Sequence, residues 1–476
     1  MHFSDYAGYD GLGLAERLRS GDVSAAELMD CAIARADAIQ PELNAICYPR
    51  YEEARKCAAT AKLEGAFGAI PFLLKDSGLA STFLEGSVGS RLFAGMRSST
   101  NATLTERFEA SGLQSFARTT VPELCMAPTT EAIANSGPTR NPWDLSRSAG
   151  GSSGGAAVAV ATGVVPLAHG SDGGGSIRIP ASCCGVYGLK PSRGLVPFGP
   201  HRGEGWGGLA ADGVLSRTVR DTAAALDGIA GTDLGAPYAA PSKPRSYLAD
   251  LSRPFDRPQK IVRWTEAWDG IGIASVCQVA TDSAADKLRA LGHEVVDAPP
   301  PGIKFAKFLD AMIDVMAASV TLTVNGYLRS HPKIVASEAL EPAILDAFER
   351  GKNISAETYG LAINRFHALG RTLAFYMEEY DFILTPTLTQ PPVPLGQFSM
   401  AEDFVTFRRK IGSYTTFLAI INASGQPAAS LPLHRTDAGL PIGIQLIGRF
   451  GDESGLLRLS AELERDAPWA NVRAVP

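Results

Sequence analysis

The chain has 476 residues, 45% of them hydrophobic and 20% charged, enough apolar material to bury a large core. Its 44 Lys and Arg against 50 Asp and Glu leave a formal net charge of −6, which argues against a surface built to hold nucleic acid. No run of about eighteen apolar residues offers a membrane span, and Met1-His2-Phe3-Ser4-Asp5-Tyr6 lacks the basic and apolar regions of a secretion signal, so a cytoplasmic location is the default expectation.

The first element is announced by Ser24-Ala25-Ala26-Glu27, a capping box in which the serine accepts an early amide and the glutamate returns to the cap N–H. Leu28, Cys31, Ala32, Ala36 and Ile39 then recur at helical spacing, and the pattern is expected to stop at Pro41. Ala69-Ile70-Pro71-Phe72-Leu73-Leu74 reads as a buried strand that delivers Lys75-Asp76 to its end. By residue type alone, such a lysine is solvated or paired with a neighbour. Gly150-Gly151-Ser152-Ser153-Gly154-Gly155 leads into Ala156 to Ala161, a helix of small residues whose N-terminus faces the serine loop. Val164 to Ala168 is expected to be a short strand feeding His169-Gly170-Ser171-Asp172 and a second loop, Gly173-Gly174-Gly175-Ser176.

Strand, helix and strand are then expected at Lys260 to Val262, Ala280 to Leu291 and His293 to Val296, with no phosphate-binding loop between them. Residues 303–380 are helical in composition, including Phe305 to Val324 and Ile363 to Tyr380, and are the candidate substrate cap. Phe382 to Pro386 and Ile442 to Ile447 return to strand. Without a repeat or a clean linker, residues 1–476 read as one α/β domain with helical insertions. The seven cysteines, odd in number and without a CxxC pair, favour a reducing compartment, and Cys183 and Cys184 are assigned to the core.

The chemistry lies in the two glycine-serine loops. Three adjacent glycines let several N–H groups converge beside the Ser176 hydroxyl, a concavity suited to a developing oxyanion. None of the seven histidines occupies a serine-hydrolase motif. Gly150-Gly151-Ser152-Ser153-Gly154 matches G-x-S-x-G formally, yet two serines among small residues do not make a nucleophile elbow. Asp172 and Arg178, which flank the nucleophile candidate, read as an ion pair supporting the loop.

Lys75-Asp76, the Gly150 to Gly155 run, Ser171-Asp172-Gly173-Gly174-Gly175-Ser176-Ile177-Arg178-Ile179-Pro180 and Gly185-Val186-Tyr187-Gly188-Leu189-Lys190-Pro191 together resemble the amidase signature family. Glu123 to Met126, Thr130-Glu131, Asn141 to Asp144, Leu215 to Asp221, Leu384 to Thr387 and Gly439 to Gln445 extend the likeness over nearly the whole chain. The resemblance implies an α/β fold with a mixed central sheet flanked by helices, a catalytic core at 65–225, and a Ser, cis-Ser, Lys catalytic set. Ser176 follows Ser152 by 24 positions, the family's offset, so the resemblance assigns Ser176 as nucleophile, Ser152 as bridging serine and Lys75 as proton acceptor and donor. Ser153 has the wrong offset. Gly173, Gly174, Gly175 and Ser176 would supply the oxyanion N–H groups, and Met126 and Thr130 resemble the substrate-side loop, Met126 through its backbone carbonyl.

The implied reaction takes a small amide and water, through an acyl-enzyme, with no metal and no organic cofactor. Gly137 to Leu189 is most similar to bacterial members acting on non-peptide amides, cyclic nylon-oligomer amides included, with aryl, carbamate and small linear amides compatible. Two alternatives stand beside it: the glutaminase subunit of a glutamine-dependent amidotransferase, and a binding protein on the same fold. Phe198, Trp206, Trp264, Trp268, Met312, Met316 and Phe366 are candidates to border the pocket. A homodimer is the expected assembly.

Overall fold

Apolar runs bounded by proline, glycine or charge become strands of the two larger of three sheets in the computed structural model, which describes residues 3–474. Met1 and His2, the start of the segment read for a leader, lie outside the described residues. The larger sheet has eight strands in the order Glu294–Ala298, Lys260–Trp264, Phe382–Pro386, Pro441–Gly448, Ala428–Arg435, Tyr187–Lys190, Ala211–Ser216 and Leu167–Asp172. The first three run parallel and every later pairing is antiparallel, so the sheet is mixed, as expected. In the smaller sheet Ile70–Lys75 pairs in parallel with Leu113–Thr119, whose other edge takes Ile46–Cys47. Ile70–Lys75 is buried at every position, which explains its continuous apolar pattern.

Two hydrophobic cores pack around these sheets. One joins both sheets to the helices Ala25–Leu43, Gly154–Ala161, Val219–Ile229, Ser275–Ala290 and Glu453–Asp466. The other is helix-rich and is built on Phe305–Ser330, Pro342–Gly351, Ala356–Tyr376 and Phe404–Tyr414. Cys183 and Cys184 are buried, one in each core.

Several boundaries differ from the sequence expectation for local reasons. The first long helix keeps its capping box but continues through Pro41 to Leu43, ending where Asn44 turns left-handed and donates to the Gln40 carbonyl at 3.0 Å. A proline this close to the end removes a single hydrogen bond. Val164 and Val165 are not strand. They fold back on the preceding helix, Val164 N–H donating to the Ala159 carbonyl at 2.8 Å, and the strand starts after Pro166. It therefore carries His169, Ser171 and Asp172 within its own regular backbone. The helix expected from Ala280 starts at Ser275, that expected from Phe305 runs on to Ser330, and that expected from Ile363 starts at Ala356 on a Ser355 cap. Among the described residues, no helix is long and apolar enough to cross a membrane.

Candidate active site

Lys75 ends its strand fully buried, tied at both ends of the residue. Its backbone N–H donates to His169 Nδ1 at 3.2 Å. Its Nζ lies 2.8 Å from Ser152 Oγ, 2.8 Å from Ser171 Oγ and 3.2 Å from the Ser171 carbonyl oxygen. All three side-chain partners are neutral oxygens. Burial lowers the proton affinity of the amine, an effect opposed in part by the nearby carboxylates of Asp212, Asp172 and Asp76.

Ser152 follows a cis peptide bond from Gly151. A Cβ on Gly151 would stand 2.4 Å from the Thr129 carbonyl oxygen, so only glycine lets the loop cross that backbone. Ser153 N–H donates to the Ser176 carbonyl at 3.2 Å, and Ser153 Oγ to the Ser171 carbonyl at 3.3 Å. Ser153 thus stitches the two serine loops together without facing the amine.

The second loop is held from inside by Asp172. Its carboxylate accepts from the backbone N–H of Gly175 at 2.7 Å and of Ile177 at 3.1 Å, and from Arg178 Nε and Nη2 at 2.9 Å each. Burial alone would raise this carboxyl; the Arg178 guanidinium, with Asn422, instead holds it well below the usual aspartate range. Arg178 also reaches Gln445 Oε1 at 2.8 Å and Asn422 Oδ1 at 2.6 Å. Asp172→Asn leaves the buried guanidinium without its charge partner, so we expect a loss of about 3–5 kcal/mol. Denaturant unfolding of the purified variant checks this.

Ser176 is 8% exposed, and its Oγ has no partner among the described residues. The amides of Gly173, Gly174 and Ser176 are likewise without acceptors, whereas the Gly175 amide is taken by Asp172. This corrects the expectation that all four would serve an oxyanion. Gly175 contributes conformation instead: its φ is +123°, and a Cβ there would meet Leu418 Cδ1 at 2.5 Å.

Ser152, Ser171 and Ser176 wall one cavity of about 370 Å³. Most of its other walls are apolar, with Val88, Phe93, Leu124, Phe198, Trp206 and Val320 prominent. Met126 lines it too, but its carbonyl accepts from Arg408 Nη1 at 3.0 Å, so the expected carbonyl contact is made within the protein. Thr130 is a second correction. It is fully buried and absent from the cavity wall, and its hydroxyl donates to the Gly150 carbonyl at 2.9 Å, propping the first serine loop. Of the other pocket candidates, Met312 and Met316 border a small adjoining compartment, while Trp264, Trp268 and Phe366 belong to the helix-rich core.

Four residues at the site were not singled out from sequence. Ser171 and His169 lie two apart on one strand and so share the face turned to Lys75, and Asp212 is the cross-strand partner of Ser171. Because His169 Nδ1 accepts from Lys75, its Nε2 carries the proton and donates to Asp212 Oδ1 at 3.1 Å. Burial disfavours the charged imidazolium. The alternation of His169 and Ser171 into the strand end was the available signal, obscured by placing that strand too early. The fourth residue, Arg408, had none. Among the described residues, no group of three His, Cys, Asp or Glu side chains gathers to hold a metal.

The family model Amidase matches residues 27–457. The chain is 33% identical to the 6-aminohexanoate-cyclic-dimer hydrolase of Paenarthrobacter ureafaciens over 97% of this chain and 95% of the relative. Among solved structures, 6-aminohexanoate cyclic dimer hydrolase complexed with substrate superposes with a TM-score of 0.93, at 31% identity and 99% coverage of both chains. A bacterial aryl acylamidase of the amidase signature family superposes with a TM-score of 0.88, at 26% identity, covering 98% of this chain and 99% of its own.

Proposed function

Because the chain belongs to the amidase family, we propose that it hydrolyses small aryl, linear or cyclic non-peptide amides through an acyl-enzyme on Ser176. The observation that carries this reading is the buried Lys75 amine 2.8 Å from Ser152 Oγ, with Ser152 and Ser176 walling one cavity. The substrate range rests on the names of the similar hydrolases and on the apolar cavity walls, and residues 303–380 are read as the cap. The helix Phe305–Ser330 lends Ser319, Val320 and Thr323 to the wall, which supports that role.

The steps follow from the donors and acceptors present. Neutral Lys75 accepts the Ser152 proton as Ser152 accepts that of Ser176, whose Oγ closes on Ser152 once substrate is bound. Ser176 Oγ attacks the amide carbon, and the negative charge moves onto the carbonyl oxygen, beside the unpaired N–H groups of Gly173, Gly174 and Ser176. Return of the proton through Ser152 to the amine nitrogen lets the C–N bond break. Water then attacks the serine ester by the same relay, releasing the carboxylic acid and free Ser176.

Asp212 and His169 are positioning residues for Lys75. The negative charge of Asp212 favours protonated Lys75, so Asp212→Asn lowers the amine's proton affinity further. The rising limb of the kcat/KM pH profile is expected to move to lower pH; a limb that moves up or stays fixed contradicts that role. The substrate range is tested by incubating the protein with glutamine, aryl anilides, linear and cyclic aliphatic amides, carbamates and matching esters, with products identified by mass. Turnover of the non-glutamine amides is expected. Exclusive turnover of glutamine would overturn the reading in favour of an amidotransferase glutaminase.

A further inference from the structure

Arg408 lies on the helix Phe404–Tyr414 and is 6% exposed. Its neighbours pair outside, Arg409 with Asp310 and Lys410 with Glu402. Arg408 turns inward, where Nη1 donates to the Met126 carbonyl at 3.0 Å and Nε has no acceptor. No carboxylate pairs with it among the described residues. The contrast with other buried arginines is sharp: Arg178 meets Asp172, Gln445, Asn422 and a carbonyl, and Arg118 meets four carbonyls. Burial pulls the Arg408 proton affinity down only to about 10, so the group is a cation at neutral pH. A buried cation whose Nε lacks an acceptor and which has no carboxylate beside it is costly unless a bound group completes it.

Its position says which group. Arg408 borders a compartment of about 20 Å³ together with Gly174, Ser176, Met126, Met312 and Ile411. Ser176 and Met126 are walls of the main cavity as well, so the compartment adjoins the site beside the nucleophile. Its volume admits a terminal oxygen of roughly water size, and its methionines can adapt to the shape of what enters. The charge and the planar donor fork of arginine match a carboxylate.

We propose that this compartment is an acyl-chain subsite in which Arg408 pairs with a terminal carboxylate of the substrate's acyl group. The preferred amides are then half-amides of dicarboxylic acids, with the scissile carbonyl at Ser176 and the free carboxylate at Arg408. This deepens, and rests on, the amide-hydrolase reading of the same cavity.

The test uses 4-nitroanilides of succinic, glutaric and adipic acid, each as the free acid and as its terminal methyl ester. At the best chain length, kcat/KM for the acid is expected to exceed that for the ester by about ten- to a hundredfold, the worth of a buried charge-assisted pair. In Arg408→Met that ratio falls to about one. A wild-type ratio at or below one overturns the proposal. So does a ratio unchanged in Arg408→Met, which would make Arg408 a prop for Met126. Calorimetric titration of the intact wild-type protein with the three dicarboxylates and their monomethyl esters decides the subsite even where the variant fails to fold. Selective, saturable binding of a dicarboxylate supports it, and equal or absent binding overturns it. Failure to cleave any of the anilides bears on the hydrolase reading, and the titration then judges the subsite alone.

Discussion

Ser176→Ala is expected to lower kcat on any amide the wild-type protein hydrolyses by about 10⁴-fold or more, with the fold intact. The substitution removes one oxygen from a position that is 8% exposed and whose Oγ supports no other described residue. The Asp172–Arg178 anchor and the Ser153 N–H bond to the Ser176 carbonyl do not involve the hydroxyl and persist. What disappears is the hydroxyl that carries the acyl group in the proposed mechanism, while Lys75 and Ser152 remain paired. Residual hydrolysis by water, helped by the loop amides, sets the floor. Steady-state kinetics with a chromogenic anilide, alongside circular dichroism of the same preparation, measures both halves of this expectation. Undiminished turnover would remove Ser176 from the mechanism.

Lys75→Met has the second-largest expected effect. Methionine keeps an apolar stem of similar reach, so the buried strand end is filled, while the Ser152 and Ser171 hydroxyls lose their shared partner. Loss of the proton relay lowers amide turnover by about 10²- to 10⁴-fold. The pH profile carries the finer information. Burial places the Lys75 proton affinity below that of a free lysine, and in the proposed relay the neutral amine is the working form. Wild-type kcat/KM therefore rises with pH and levels off once Lys75 is deprotonated; in Lys75→Met that limb vanishes. Amides should suffer more than aryl esters of the same acid, because a departing amine needs a proton and a phenolate does not. Equal loss on both, with the pH limb retained, would assign the base elsewhere.

The parts of this protein that were legible in sequence share a physical origin. Short-range patterns spoke clearly: the Ser24–Glu27 capping box, the apolar run into Lys75 and the glycines around Ser176 each specify local structure through their own neighbours. The resemblance then linked Lys75, Ser152 and Ser176 across a separation that no local pattern spans. Contacts made by tertiary packing stayed hidden. Thr130 resembles a substrate-loop residue, yet whether its hydroxyl meets a ligand or the Gly150 carbonyl depends on how two loops stack. The Gly175 amide looked available until Asp172 folded back onto it. Asp212 reaches the site only because Ala211–Ser216 pairs with Leu167–Asp172 in a particular register. Arg408 arrives from a helix more than two hundred residues downstream of the nucleophile, in a run of basic residues whose other members face solvent.

The covalent intermediate is the most direct test of the central claim. The protein is mixed with an activated aryl ester or anilide, acid-quenched within the first turnovers, and analysed by intact mass and peptide mapping. The account predicts a mass increase equal to the acyl group, on the peptide carrying Ser176, abolished in Ser176→Ala and decaying as the carboxylic acid appears. An acyl group mapped to Ser152, Ser153 or Cys125, or product release with no acylated protein when deacylation is slowed, would contradict it.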